Sequence, residues 1–248
     1  MPKAIGIIPS RYGSKRFPGK ALALIAGVPL VVRVLQNAQK SKCLSDVLVA
    51  CDDDRIAEAV MRFGGKVIMT GHEHVTGSDR VAEAASRLDF DLVVNIQGDE
   101  PFLPPEAIDR VVGLLGEPDV VMSTACSPMA LSDGDNPNIV KVVADQRGDA
   151  LYFSRSRIPF SGSHGSVDTG LFRHIGIYGF RRDFLIKFAA LPRTPLETTE
   201  SLEQLRALEH GYKIRVAVVE SVFAGIDSAE DIARAEEILS RRGAGNVE

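Results

Sequence analysis

No apolar run in this chain of 248 residues approaches the roughly 20 residues that a membrane-spanning helix needs. Cysteine is scarce. Cys43, Cys51 and Cys126 are odd in number and far apart, and no CxxC pair offers a zinc or redox site. Cys51 and Cys126 sit in or beside apolar runs and read as core thiols, which fits a reducing cytoplasm. The first residues run straight into a strand-like segment and leave no room for a secretory leader, so a cytoplasmic location is expected. Excess positive charge is also missing. At a net charge of −4 the chain presents no general nucleic-acid surface, so neither nucleic acid nor membrane is expected as a partner. There is no Ser-His-Asp pattern, no H-E-x-x-H, no nucleophile elbow, no internal repeat and no low-complexity segment.

What is present is ordinary for a globular domain: 45% hydrophobic and 25% charged residues. The length suits one large α/β domain, or one domain carrying a sizeable insertion. Apolar, strand-like runs at Ala4–Ile8, Val47–Cys51, Val67–Met69, Leu92–Ile96 and Val120–Ala125 alternate with helical patterns. The helices are expected at about Pro29–Lys42, Arg55–Phe63, Ser78–Leu88 and Pro104–Leu115. This rhythm predicts a doubly wound, mostly parallel α/β sheet. It then breaks. Ile139–Ala144 and Ala150–Phe153 flank Asp145-Gln146-Arg147-Gly148 as a hairpin, Gly162–Gly170 is a polar loop, and His174–Phe180 is again strand-like. An antiparallel insertion at 123–192 within an α/β domain of 1–122 and 193–248 is therefore expected. Parallel rhythm resumes with a capped helix from Thr194 to His210, a strand at Lys213–Val219, and a last helix capped at Ser228.

The stretch Ile5–Lys20 carries the strongest chemical signal. Pro9 ends the first strand, and Arg11, Lys15, Arg16 and Lys20 follow with no acid among them, interleaved with Gly13 and Gly19. Clustered cations repel one another unless an anion offsets them, and a basic loop rich in N–H groups after a strand suits a triphosphate. It is not a P-loop: five residues separate the glycines and Ala21 follows Lys20. A G-x-G-x-x-G fingerprint is absent too.

Ligands of parallel sheets lie beyond the carboxyl ends of the strands. Asp99 follows one such end and Asp227 another. Two carboxylates from separate strand ends suit a hard cation such as Mg²⁺, although each alone also reads as a turn or helix-start acid. His72 and His74 lack further ligands nearby, and His174 lies in a strand-like run. Glu200, Glu203 and Gln204 share a face of the expected helix, either as a solvated face or as a polyol site. Arg155 and Arg157 read as surface charges or as partners for a carboxylate.

These residues are familiar as a set. Pro9-Ser10-Arg11-Tyr12-Gly13-Ser14-Lys15-Arg16-Phe17-Pro18-Gly19-Lys20 resembles the P-A-R-x-x-S-x-R-L-P-G-K signature of sugar-acid cytidylyltransferases. With His74-Val75-Thr76-Gly77-Ser78-Asp79-Arg80, Asn95-Ile96-Gln97-Gly98-Asp99-Glu100-Pro101, Asn136-Pro137-Asn138, Tyr152-Phe153-Ser154-Arg155 and Leu202-Glu203-Gln204-Leu205-Arg206, the chain resembles the 3-deoxy-D-manno-octulosonate (Kdo) cytidylyltransferase family along nearly its whole length. The resemblance implies that CTP and Kdo give CMP-Kdo and diphosphate for lipopolysaccharide assembly, with a related sugar acid (8-amino-Kdo or sialic acid) as the alternative acceptor. It implies a homodimer joined through the antiparallel part. It places Ser10, Arg11, Arg16, Lys20, Gly77, Ser78, Arg80 and Gln97 around the nucleotide, and Mg²⁺ on Asp99 and Asp227. Gln97, Arg155, His174, Tyr178, Glu203 and Gln204 would surround the sugar. Arg16, Lys20, Asp99 and Asp227 would carry the catalysis. Ser10 stands where Ala is usual, Phe17 where Leu is usual, and Ala229 where the family often has Pro. The loop 161–170 does not match well enough to take over any role.

Overall fold

The computed structural model describes residues 2–13, 17–160, 170–220, 225–226 and 228–244. The expected loop of Gly162–Gly170 lies outside these except for its last residue. The chain forms two compact units, Met1–Pro105 with Phe223–Glu248, and Glu106–Val222.

The first unit begins with β1 (Ala4–Ser10), a 3₁₀ turn at Lys20–Leu22 and a small hairpin, β2 (Leu24–Ile25) with β3 (Val28–Pro29). There follow α1 (Leu30–Ala38), β4 (Asp46–Cys51), α2 (Asp54–Arg62), β5 (Lys66–Met69), α3 (Gly77–Ser86) and β6 (Leu92–Ile96). The strands lie parallel in the order β6-β1-β4-β5. β1 has a strand on either side, and α1 and α3 pack on it. That position explains its unbroken run of apolar residues, with Ile5, Ile7 and Ile8 fully buried. α1 stops at Ala38, short of the expected Lys42. Its buried stripe runs out there, and the bonds from Lys40 N to Asn37 O (3.1 Å) and from Ser41 N to Ala38 O (3.0 Å) tighten the chain into turns.

The second unit holds α4 (Pro105–Leu114), β7 (Met122–Met129), β8 (Lys141–Ala144), β9 (Ala150–Ser154), β10 (Leu171–Arg181), α5 (Arg182–Ala190), α6 (Pro195–Glu200), α7 (Leu205–Glu209) and β11 (Arg215–Val218). β7 runs antiparallel to β10 and parallel to β11. The β8–β9 hairpin is the expected one, and Gly148 supplies the positive φ of 82° that its turn requires. α8 (Ala229–Ala244) returns the chain to the first unit; Ser228 N donates to Asp231 Oδ2 at 2.9 Å, as a helix-capping residue should. The fold is thus the expected mostly parallel, helix-covered α/β sheet.

Two further features depart from expectation. α5 follows β10 with no break and no side-chain cap, and it packs through Phe184, Leu185 and Phe188. The single helix expected from Thr194 to His210 is two helices. Ser201 adopts a left-handed conformation (φ 53°, ψ 47°) and ends α6. Glu200 therefore does not share one helical face with Glu203 and Gln204.

α6 and α7 are tied by a buried ion pair. Arg206 donates from Nε to Glu197 Oε2 (2.9 Å) and from Nη2 to Oε1 (2.6 Å), with the residues 2% and 6% exposed. Burial would raise the Glu197 carboxyl, but the hydrogen bonds and charge of Arg206 outweigh it and hold it below its ordinary 4.5. A carboxylate depressed in the folded state stabilises the fold above that ordinary value, and the contribution is lost as pH falls through the lowered one. The urea midpoint is expected to fall between pH 5 and pH 3, with a shallower slope in Glu197→Gln. Arg206→Met, which strands the carboxylate, should cost about 3–5 kcal/mol by the same measurement.

Candidate active site

Within the first unit, a cavity of about 400 Å³ opens beyond the carboxyl ends of β1 and β6. Ser10, Arg11, Lys20, Gly77, Arg80, Gln97 and Asp99, all picked out in the sequence, line it. Ser78 does not. Its side chain is buried and accepts a bond from Asn95 Nδ2 at 3.1 Å. Arg16 and Asp227 lie outside the described residues. His74 and Thr76 line the cavity without having been chosen as site residues, although both belong to a quoted motif.

The walls meet through backbone contacts. A Cβ at Gly98 would stand 3.0 Å from the Pro9 carbonyl oxygen, and one at Gly77 would stand 3.2 Å from Pro9 Cγ. Glycine lets the ends of β1, β6 and α3 converge. Thr76 caps α3, accepting from Asp79 N at 3.1 Å, while Thr76 N donates to Asp79 Oδ2 at 3.1 Å. The start of that helix, favourable to anions, faces the cavity at Gly77.

Lys20 and Asp99 touch. The ammonium donates to Asp99 Oδ2 at 2.7 Å and to the Ile226 carbonyl at 3.0 Å. Ile226 N in turn donates to the Asp99 carbonyl at 2.8 Å, hooking the segment before Asp227 onto the same turn. Arg80 is 3% exposed and already engaged, with Asp52 Oδ2 at 2.7 Å and the Gly71 carbonyl at 3.2 Å. It stiffens the cavity wall, whereas Arg11 is exposed at its rim. Gly19, at φ 72°, closes the basic loop by donating to the Tyr12 carbonyl at 3.0 Å, and the Arg55 guanidinium lies 3.4 Å above the Tyr12 ring. His74 bonds to Glu83, which also accepts from Gly71 N at 2.9 Å. Among the described residues no cluster of three His, Cys, Asp or Glu side chains forms a metal site.

The second unit gathers most of the residues expected around a sugar. Tyr178 donates to Gln204 Oε1 at 3.0 Å, and both are buried. The Gln204 Nε2 has no partner among the described residues. Burial, and then the Glu203 charge, push the Tyr178 hydroxyl far above its ordinary value. Glu203 lies 3.7 Å from the Arg206 guanidinium. His174 stacks edge-on to Phe153 at 5.0 Å. Thr124 Oγ1 donates to the Ile177 carbonyl at 2.7 Å, so its contact with His174 Nε2 at 2.9 Å has the ring nitrogen as donor. The Nδ1 is left as an acceptor. Burial pushes the His174 pKa down to about 3, so the ring is neutral at any pH above about 4. Its ring ¹⁵N shifts should be those of the neutral Nε2–H tautomer, unchanged from pH 8 to pH 5. A titration near the ordinary 6.5 would contradict this.

A cytidylyltransferase family model matches residues 5–214. The chain is 48% identical over 242 residues to the 3-deoxy-manno-octulosonate cytidylyltransferase of Syntrophotalea carbinolica, covering 94% of this chain and 97% of that one. To the protein of the same name from Myxococcus xanthus it is 45% identical, with 97% and 98% covered. A solved CMP:2-keto-3-deoxy-manno-octonic acid synthetase complexed with CTP has a TM-score of 0.92 and 37% identity, over 97% of this chain and 99% of that one. A 4-diphosphocytidyl-2C-methyl-D-erythritol synthase from Anaerococcus prevotii, at TM-score 0.65 and 16% identity, shares the fold. The chain belongs to the cytidylyltransferase family.

Proposed function

We propose that this chain activates Kdo for lipopolysaccharide assembly in the cytoplasm: CTP and Kdo give CMP-Kdo and diphosphate. The observation that carries this reading is the cavity in which Arg11, Lys20, the start of α3 and Asp99 come together. Such a site suits a polyanion whose charge must be held while one phosphate bond is exchanged.

Arg11, Arg16 and Lys20 would hold the triphosphate, with Ser10, Gly77, Ser78, Arg80 and Gln97 as the rest of the nucleotide site. The anomeric oxygen of Kdo attacks the α-phosphorus in line. The bond to the β-phosphate breaks, diphosphate leaves, and the hydroxyl proton passes to solvent. Lys20 stabilises the charge that moves to the leaving group. Asp99, whose side chain lines the cavity with oxygen donors, fits Mg²⁺, which takes one or two carboxylates and completes its shell with phosphate oxygens. Asp227 would be the second carboxylate. The bound ion would neutralise phosphate charge and acidify the sugar hydroxyl. Lys20 offsets the Asp99 charge until then.

For the sugar, Arg155 would receive the carboxylate, and Gln97 would be a further contact. Gln204 Nε2, which has no partner among the described residues, the Tyr178 hydroxyl, His174 Nδ1 and Glu203 would meet hydroxyl groups. The antiparallel part, taken as residues 123–192, would supply the sugar pocket and the contact of a homodimer.

Diphosphate release from CTP is expected to require both Kdo and Mg²⁺, with none from sialic acid in a parallel assay. Release with sialic acid alone would overturn the sugar assignment. In Asp99→Ala, turnover should drop at least about a hundredfold with the circular dichroism spectrum unchanged. Near-normal turnover would remove Asp99 from the site.

A further inference from the structure

Three arginines of this chain show two ways of holding a guanidinium. Arg80 and Arg206 are each paired with a carboxylate, Asp52 and Glu197, and their charge is spent inside the protein. Arg155 is held differently. Its Nε donates to the Glu200 main-chain carbonyl at 2.9 Å and its Nη1 to the Pro137 carbonyl at 3.0 Å. Both acceptors are neutral. The Glu200 carboxylate is spent on Arg155's surroundings instead: it accepts from Arg155 N at 2.9 Å, from Ser154 Oγ at 2.6 Å and from Tyr152 OH at 3.5 Å. The third brace is Lys141. Its ammonium is buried and donates to the Arg155 carbonyl, to Asn136 O at 3.0 Å and to Ile139 O at 2.7 Å. Backbone N–H, backbone C=O and two side-chain nitrogens of Arg155 are therefore all fixed. Nη2 makes no hydrogen bond to the described residues.

We infer that Glu200 is a positioning residue: it grips Arg155 at the end of β9 through main-chain bonds, so that the Arg155 guanidinium is held in place with an edge that bonds none of the described residues and can take a substrate carboxylate. The inference rests on the reading of Arg155 as the partner of the sugar acid's carboxylate. A bidentate arginine–carboxylate contact demands a fixed plane as well as a charge. A direct Glu200–Arg155 side-chain pair would supply the plane and occupy the edge. Bonds from Nε and Nη1 to carbonyls supply the plane and leave Nη2 for the substrate.

The test is steady-state kinetics with each substrate varied. In Glu200→Gln, the KM for Kdo should rise about tenfold, with the KM for CTP and kcat within about twofold. Arg155→Ala should raise the Kdo KM at least as far. The double variant should be no worse than Arg155→Ala alone, because both act on one contact. Additive losses in the double variant, or an unchanged Kdo KM in Glu200→Gln, overturn the role of Glu200 and leave Arg155's in place. An unchanged Kdo KM in Arg155→Ala overturns the reading of Arg155 itself, and the inference with it. Should Glu200→Gln fail to fold by circular dichroism, Glu200→Asp keeps the charge, withdraws it by one methylene and must show the same split between the two KM values.

Discussion

The approach of three backbones at Pro9 is the constraint on which the nucleotide cavity depends. The Pro9 carbonyl leaves no comfortable room for a side chain at Gly98, and the Pro9 ring crowds position 77. With glycine at both positions, two strand ends and a helix start meet here without displacing Pro9. The rest follows from that meeting. Asp99 is the residue after Gly98, the helix start of α3 is Gly77, and the basic loop leaves β1 one residue past Pro9. A buried, parallel strand pair delivers these groups to one end because parallel strands present the same end to the same side.

Charge is handled by location. The buried arginines Arg80 and Arg206 are neutralised where they brace the fold, by Asp52 and by Glu197. At the cavity, Lys20 and Asp99 compensate each other at the surface of a space that a charged ligand can enter. Their side chains are 17% and 32% exposed, so water screens the pair and weakens it relative to a buried one. A pair of this kind is easy to separate, as a site that admits both a cation and a polyanion requires. The internal pairs are costly to break.

Much of this was readable from the chain. Apart from the β2–β3 hairpin and the 3₁₀ turn before it, the first unit's strands and helices followed from apolar runs and caps, because each is a local pattern. Six of the residues expected around the nucleotide, and Asp99, line one cavity, since strand ends in a parallel sheet fix where loops go. α5 was hard to read: no capping or turn residue separates it from β10, and the helical spacing of Phe184, Leu185 and Phe188 spans little more than one turn. The break at Ser201 was hidden too. Serine carries no strong signal for a left-handed conformation, and the residues around it keep a helix-compatible pattern. Lys141 shows why burial escapes sequence reading. A lysine in a short strand reads as exposed, yet three carbonyls converge on its ammonium and leave it fully buried.

The break between α6 and α7 makes chain length matter there as much as residue identity. Ser201 to Gln204 separate Glu200, which holds Arg155, from α7, which carries Arg206 back to Glu197. A residue added or deleted there would displace α7 relative to α6, and with it Arg206 from its carboxylate and Gln204 from Tyr178. Exposed connections between helices ordinarily tolerate insertions. This one is a spacer of fixed length, and changes in length that natural variation permits in other connections of the chain should be rare here.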